Sequence, residues 1–491
     1  MANAALLGER IGQVSFDSRE IIGDLGGSAV LFFSVDGKNF KGEDFIRDVF
    51  KKNSRAIVVS ERDLSGKCDR FIRVDDIEKT MAIVAKNFYW NPDSKLNLVG
   101  ITGTNGKTTT SHLCRSMLGK IGRTGMIGTT GHDLCGTVKK VPNTTPAALT
   151  LFQSLAEAVK NGGKNLALEI SSHAVELKRA YGLEVDVAIF TNLSPEHLDF
   201  HGTMEHYFLS KKKIFDGENG PVPQFSVINT DDEYGKRLYG ELRRSGGTRR
   251  NVISFGFADD ADFRICNVSQ NCVGGSIFEI LAHGKFYRFT ARLFGTHNFY
   301  NIAASFAGCV SMFGSAGKFV EAVSEFERVP GRLDRIPMAN GASAFVDYAH
   351  TPDALKAVVG ALNSVKTGKL ITVFGCGGDR DAVKRAPMTR IVNRLSDFAI
   401  ATSDNPRNEP QESIFNDMEA GVVDRKKIVF IPDRREAIAT AIDLSGPGDV
   451  ILVAGKGHET YQLINGQCLD FDDGKVIVEL SSKKMASPKP R

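Results

Sequence analysis

The chain has 491 residues, 42% apolar and 24% charged, with a formal net charge of +4. At roughly 100–200 residues per domain, that length predicts about three domains, each able to bury its own core. So small a positive excess argues against nucleic acid or a membrane surface as the main partner, and no apolar run is long enough to span a bilayer. The segment Met1 to Leu7 is too short for a signal sequence, and none of the eight cysteines falls in a CxxC pair. Free thiols in a reducing cytoplasm are therefore expected.

No internal repeat is present. Short β-branched runs alternate with helical patterns, which predicts βαβ units, parallel sheets and an α/β fold. In chain order the predicted elements are strands Ala56–Ser60 and Leu96–Thr102, helices Thr108–Leu118 and Pro146–Lys160, then strands Leu166–Ile170, Val185–Thr191 and Phe225–Asn229. Helix Asn301–Met312, strand Ala344–Tyr348 and helix Ala354–Asn363 follow. Strands Leu370–Gly375, Phe398–Thr402, Lys427–Ile431 and Val450–Ala454 complete the series. Turn clusters at Asn91-Pro92-Asp93-Ser94 and Val329-Pro330-Gly331-Arg332 divide the chain into 1–95, 96–329 and 330–491. The basic, proline-containing tail from Ser481 is expected to be disordered.

The strongest motif is Gly103-Thr104-Asn105-Gly106-Lys107-Thr108-Thr109, set between a buried strand and a helix. Glycines let backbone N–H groups approach phosphate oxygens, and the helix N-terminus favours negative charge. Lys107 can bridge terminal phosphates and the Thr108 hydroxyl can ligate Mg²⁺. Only two residues separate the glycines, where the common loop has four, and Ile101 replaces that loop's first glycine.

Other positions read chemically but less sharply. Thr145 is expected as an N-cap with Pro146 opening the helix. Glu169 ends an apolar strand, where a site of a parallel sheet lies. His197-Leu198-Asp199-Phe200-His201 has a zinc-like look, but no cysteine or further histidine nearby completes such a site, and magnesium suits the phosphate loop better. Lys211, Lys212 and Lys213 read as a solvated helix face, and Asn301 as a cap. Asp347 at a strand end can bind a ribose hydroxyl. Gly375 to Asp381 has the wrong glycine spacing for a dinucleotide site.

The short phosphate loop resembles that of the Mur ligases of peptidoglycan synthesis and their relatives, the folylpolyglutamate and cyanophycin synthetases. Further motifs spread over most of the chain resemble the branch that adds the third residue of the stem peptide. The resemblance implies a three-domain architecture: a first domain for the UDP end, a central P-loop ATPase-type parallel sheet, and a Rossmann-like C-terminal domain for the incoming amino acid. It implies ATP as co-substrate and two Mg²⁺ ions held by Thr108, Glu169, His197 and a carbamylated Lys211. Lys107, Glu169, His197 and Lys211 then form the catalytic set. The nucleotide would meet Gly103 to Thr109, Asn301 near the adenine, Arg332 and Asp347. Ser18, Asn143, Thr144, Thr145, Ser171 and Arg179 would meet UDP-MurNAc-L-Ala-D-Glu. The sequence departs from the family at Leu177-Lys178 and in the longer stretch Gly23 to Val30.

By the same resemblance, Asp404-Asn405-Pro406-Arg407 implies selection of meso-diaminopimelate over lysine. Its distal carboxylate suits the guanidinium forks of Arg407 and Arg380, and its distal ammonium suits Glu459 beside Gly455. A cytoplasmic monomer is expected, with no nucleic-acid partner. Lysine addition, a folylpolyglutamate-type ligation and a P-loop ATPase coupled to a macromolecule stay open as alternatives. The ATPase would show hydrolysis stimulated by a macromolecule; the ligase would release ADP only with both small substrates.

Overall fold

The computed structural model describes residues 6, 8–37, 40–139, 143–245, 251–271, 275–293 and 295–486. Three main sheets follow one another along the chain. The first is parallel, ordered Ile11–Ser15, Ala29–Phe33, Ile57–Ser60 and Phe71–Arg73. Ala29–Phe33 is buried throughout. Its period of two sends Val30 and Phe32 against Ile46 and Val49, and Leu31 and Phe33 to the opposite face. That second face shares one apolar cluster with Met81 and Ala85 of helix Ile77–Phe88 and with Leu149 and Phe152 of helix Ala148–Lys160. The first boundary is thus bridged by core, and by Lys86, whose ammonium lies 2.8 Å from both Asp93 and Glu184. Trp90, the only tryptophan, stands at this joint 78% exposed with φ +61°.

The second sheet has eleven strands. Its parallel centre runs Asn251–Gly256, Phe225–Asn229, Val187–Phe190, Asn97–Thr102, Asn165–Glu169 and Thr124–Gly128. The strand after Asn97–Thr102 lies two places away and a later one returns to its other side. The carboxyl ends of the centre therefore open a crevice beside the phosphate loop. Strands Phe263–Asn271, Gly275–Ala282 and Lys285–Ala291, antiparallel to one another, extend one edge, the first of them joining Asn251–Gly256 in parallel. Their alternation of buried and exposed residues, clearest in Gly275–Ala282, is that of a sheet with one solvated face. The βαβ reading does not contain them.

The third sheet is ordered Asp334–Pro337, Ser343–Asp347, Val450–Ala454, Leu370–Cys376, Phe398–Ser403 and Ile428–Phe430, parallel except for the first strand. Its two apolar clusters draw only on residues from Leu333 onward. In register, Asp347 pairs with Ala454 and Cys376 with Ser403, so the segments that follow emerge along one edge.

Some expectations need correction. The chain after Ser481 is not all disordered: helix Asp473–Ala486 runs through it, and 487–491 lie outside the described residues. Helix Ala148–Lys160 starts after Pro146, and its N-cap Ala147 offers no side-chain bond. Asn301 lies inside helix Thr296–Phe313, which Gly295 caps. Seven cysteines are free thiols, and Cys272 lies outside the described residues. Among those residues no helix is long and apolar enough to cross a membrane.

Candidate active site

The loop between strand Asn97–Thr102 and helix Lys107–Gly119 needs its glycines for two reasons. Gly103 and Gly106 have φ of +146° and +87°, and a Cβ would strike the Thr191 hydroxyl from the first and the Asn301 amide from the second. The loop is clamped by the segment after Val187–Phe190. Thr104 N donates to Asn192 O (2.9 Å), Asn105 N to Asn192 Oδ1 (2.9 Å), and Thr191 Oγ1 to Asn105 O (2.6 Å). Lys107 Nζ donates to Gly103 O (2.8 Å) and Thr104 O (2.7 Å), and burial lowers its pKa.

Glu169 pairs in register with Ile101 and is fully buried. Its carboxylate accepts from Thr129 N and Oγ1 (both 3.0 Å), Thr108 Oγ1 (3.1 Å) and Ser111 Oγ (3.4 Å). Thr108 and Glu169 thus bring hard oxygen donors to the first turn of the phosphate helix, which fits Mg²⁺. Among the described residues no cluster of three or more His, Cys, Asp or Glu side chains forms a metal cage. An ion here would keep water or phosphate oxygens, as Mg²⁺ commonly does.

His197 caps the short helix Leu198–His201 with φ +56°. Desolvation pushes its pKa down to about 4, so the imidazole is neutral and able to ligate. A third histidine packs beside the pair: the ring centre of His173 is 4.7 Å from that of His197 and 5.6 Å from that of His201. His201 is occupied by Ser172 Oγ at 2.9 Å. The three consecutive lysines differ in burial. Lys212 and Lys213 pair with Glu241 and Glu176, whereas Lys211 is 1% exposed. Its Nζ donates to Gly103 O (3.0 Å) and lies 4.6 Å from the Tyr207 ring centre. Burial, and then Lys107, hold its pKa well below the usual lysine value.

A cavity of about 400 Å³ joins the loop to the third sheet, lined by Asn105, Gly106, Thr108, Thr109, Asn301, Arg332 and Asp347 among others. Arg332 lies over the Tyr348 ring and brings Nη2 to 3.4 Å from Thr108 Oγ1. Asp347 accepts from Leu333 N (2.7 Å) and Ala349 N (2.8 Å), and burial raises its pKa. Asn301 stands at the phosphate end, where it accepts from Thr110 Oγ1 at 3.3 Å.

Thr145 Oγ1 donates to Glu169 O (2.8 Å) and accepts from Ser171 N (3.1 Å), tying its loop to the Glu169 strand instead of capping a helix. Thr144 reaches the same centre through Thr129 Oγ1 (3.0 Å), and Arg179 donates to Thr145 O (3.1 Å). Asn143 is exposed and Ser18 half-buried; Ser18 opens a 3-10 turn capped by Asp17 in the first sheet's region.

Asp404 and Asn405 are buried after strand Phe398–Ser403. Asn405 Nδ2 donates to Glu459 Oε2 (2.9 Å). Gly455, φ +117°, leaves room for the Asp404 carboxylate, where a Cβ would not. Pro406 is buried; Arg407, φ +55°, donates through Nη1 to Gly378 O (2.8 Å). Hairpin Tyr461–Ile464/Gln467–Asp470 pins this loop, with Arg407 N donating to Leu463 O (2.9 Å). Arg380 is exposed near the same loop. Sequence reasoning missed Thr129, the brace Arg385–Glu409 and Lys456. Thr129 follows a glycine at a strand end, Glu409 stands two places past Arg407, and Lys456 lies between two glycines.

Fold and site define a class: a phosphate-loop α/β enzyme whose third sheet faces the nucleotide loop. The chain belongs to the Mur ligase family. A profile for the Mur ligase middle domain matches residues 101–309, and one for the Mur ligase, glutamate ligase domain matches 331–457. The chain is similar to the UDP-N-acetylmuramoyl-L-alanyl-D-glutamate–2,6-diaminopimelate ligase of Solibacter usitatus, 39% identical over 95% of this chain and 92% of that one. That of Aquifex aeolicus is 38% identical over 96% and 94%. A solved structure of a ligase of that name covers 97% of this chain and 96% of its own, with TM-score 0.68 and 30% identity. The Thermotoga maritima MurF ligase in complex with ADP shares the fold, with TM-score 0.63, 21% identity and 99% of each chain covered.

Proposed function

We propose that this chain is an ATP-dependent ligase that joins meso-2,6-diaminopimelate to UDP-MurNAc-L-Ala-D-Glu in the cytoplasm, in peptidoglycan synthesis. The observation that carries this is full-length similarity to ligases named for that reaction, in a chain that keeps Asp404-Asn405-Pro406-Arg407 and Glu459 together on one edge of the third sheet. The units 1–95, 96–329 and 330–491 then serve as the UDP, ATP and amino-acid domains.

In the first step a D-glutamate carboxylate oxygen attacks the γ-phosphorus of ATP. The bond to ADP breaks and an acyl phosphate forms. Two anions must meet, and Lys107 with the N-terminus of helix Lys107–Gly119 offsets their repulsion. Thr108, Glu169, His197 and a carbamylated Lys211 would hold two Mg²⁺ ions. When bound, such ions neutralise charge on the phosphate oxygens. Ser18, Asn143, Thr144, Thr145, Ser171 and Arg179 orient the UDP-sugar peptide. In the second step an amine of diaminopimelate attacks the acyl carbon, loses a proton, and phosphate leaves. Arg380 and Arg407 take the distal carboxylate, and Asp404, Asn405 and Glu459 the distal ammonium, with Pro406 and Gly455 shaping the wall. Arg332 and Asp347 reach the nucleotide from the third domain, so closure aligns the reactants and excludes water.

The test is phosphate release from ATP in the presence of UDP-MurNAc-L-Ala-D-Glu and either diaminopimelate or L-lysine. A guanidinium left without its carboxylate costs roughly 3–5 kcal/mol, so a preference of about a hundredfold or more for diaminopimelate is expected. Equal use of lysine overturns the assignment.

A further inference from the structure

We propose that Lys456 is a specificity-determining residue of the amino-acid pocket: its buried ammonium fixes the charge of the pocket floor so that a zwitterionic side-chain head is accepted and a bare ammonium is disfavoured. This rests on the diaminopimelate reading and deepens it. Lys456 has no solvent exposure and follows Gly455 at the end of strand Val450–Ala454. Its Nζ donates to Asn405 Oδ1 (3.2 Å) and Glu459 Oε2 (3.1 Å), and stands 3.9 Å from Asp404 Oδ1. A neutral donor could make the same two hydrogen bonds, and burying a cation is costly unless its charge is used. What the ammonium adds beyond those bonds is its charge, set against the carboxylates of Glu459 and Asp404.

Counting charge on the floor gives Asp404 and Glu459 at two negative and Lys456 at one positive, a net of one negative. The nearby Arg434 does not enter the sum, because Asp473 answers it with two bonds of 2.8 Å. One negative charge matches the ammonium of diaminopimelate, while its carboxylate goes to the guanidinium wall. A lysine side chain brings the ammonium alone and leaves that wall facing it uncompensated. Without Lys456 the floor would carry two negative charges. A cationic side chain would then gain more than a neutral zwitterion, and discrimination would narrow.

The experiment compares wild type with Lys456→Met and Lys456→Gln, using ATP, UDP-MurNAc-L-Ala-D-Glu and either diaminopimelate or L-lysine. In the variants the ratio of kcat/KM for diaminopimelate to that for lysine should fall by about tenfold or more. The change should lie in the amine KM, with the KM for ATP moving less than about twofold. A folded neutral variant that keeps the wild-type ratio overturns the proposal. So does failure of both variants to fold, which would make Lys456 a structural ion. A wild type that does not prefer diaminopimelate overturns the reaction assignment as well, whereas a selective wild type with unchanged variants removes this proposal alone.

Discussion

Lys211 separates what one sequence can say from what it cannot. Three consecutive lysines look alike, and a solvated face is the ordinary reading of such a run. Folding buries only the first, over Tyr207 and against Gly103 O, and gives the other two acidic partners. If Lys211 is a carbamate in the working enzyme, Lys211→Ala should lose about 10²–10³-fold in kcat, the scale of removing one preorganised electrostatic group. Added short-chain carboxylates should restore part of the loss. Turnover assays with and without formate or acetate check this, and wild-type activity in the variant would return Lys211 to the core. Legibility at this scale followed chemistry carried by neighbours in sequence. The phosphate loop could be read because glycines, lysine and threonine are contiguous. Thr129 could not, because its bonds to Glu169 span forty residues.

Among the elements, parallel strands marked by a continuous apolar run were read at Val187–Phe190 and Val450–Ala454, whereas the equally apolar Ala29–Phe33, set among weak motifs, was not. The antiparallel strands from Phe263 to Ala291 were not. Phe286 on their outer strand is exposed, and polar alternation there resembles loop. The brace between loop Gly375 to Asp381 and the Asp404 to Arg407 loop belongs to this scale. Arg385, 1% exposed, bonds Glu409 at 2.6 and 2.7 Å and Asp417 at 2.9 Å. Chiefly because of Arg385, the Glu409 pKa falls from 4.5 to about 2. A carboxylate with a depressed folded pKa contributes stability above its unfolded pKa and loses it as pH falls through the folded one. Glu409→Gln should therefore destabilise the third domain by about 1–3 kcal/mol at neutral pH. The gap from wild type should shrink as pH drops from 4.5 toward 2. Urea titrations at several pH values decide it, and a pH-independent gap would mean that Glu409 acts by packing.

For the whole molecule, the two joints differ in kind. The first is welded by an apolar cluster running from Phe33 through Met81 to Phe152, while the third domain keeps its clusters to itself and meets the phosphate loop through polar groups such as Arg332. Turn chemistry in the sequence marked both joints alike, since it reports where elements end and not what is packed across them. Arg332→Ala should weaken ADP binding by about 10–100-fold, the scale of losing a hydrogen bond to a charged group, with the melting temperature little changed. Calorimetric titration with ADP measures it, and unaltered affinity would place the nucleotide outside the Arg332 cavity. The welded joint also carries the chain's one indole, on Trp90, open to water. All tryptophan emission from this protein therefore originates at a single seam, away from the polar contacts by which the third domain meets the loop. Intrinsic fluorescence is thereby an optical strain gauge for the seam between the first two sheets, and a quiet background against which a dye placed on the third domain can be read.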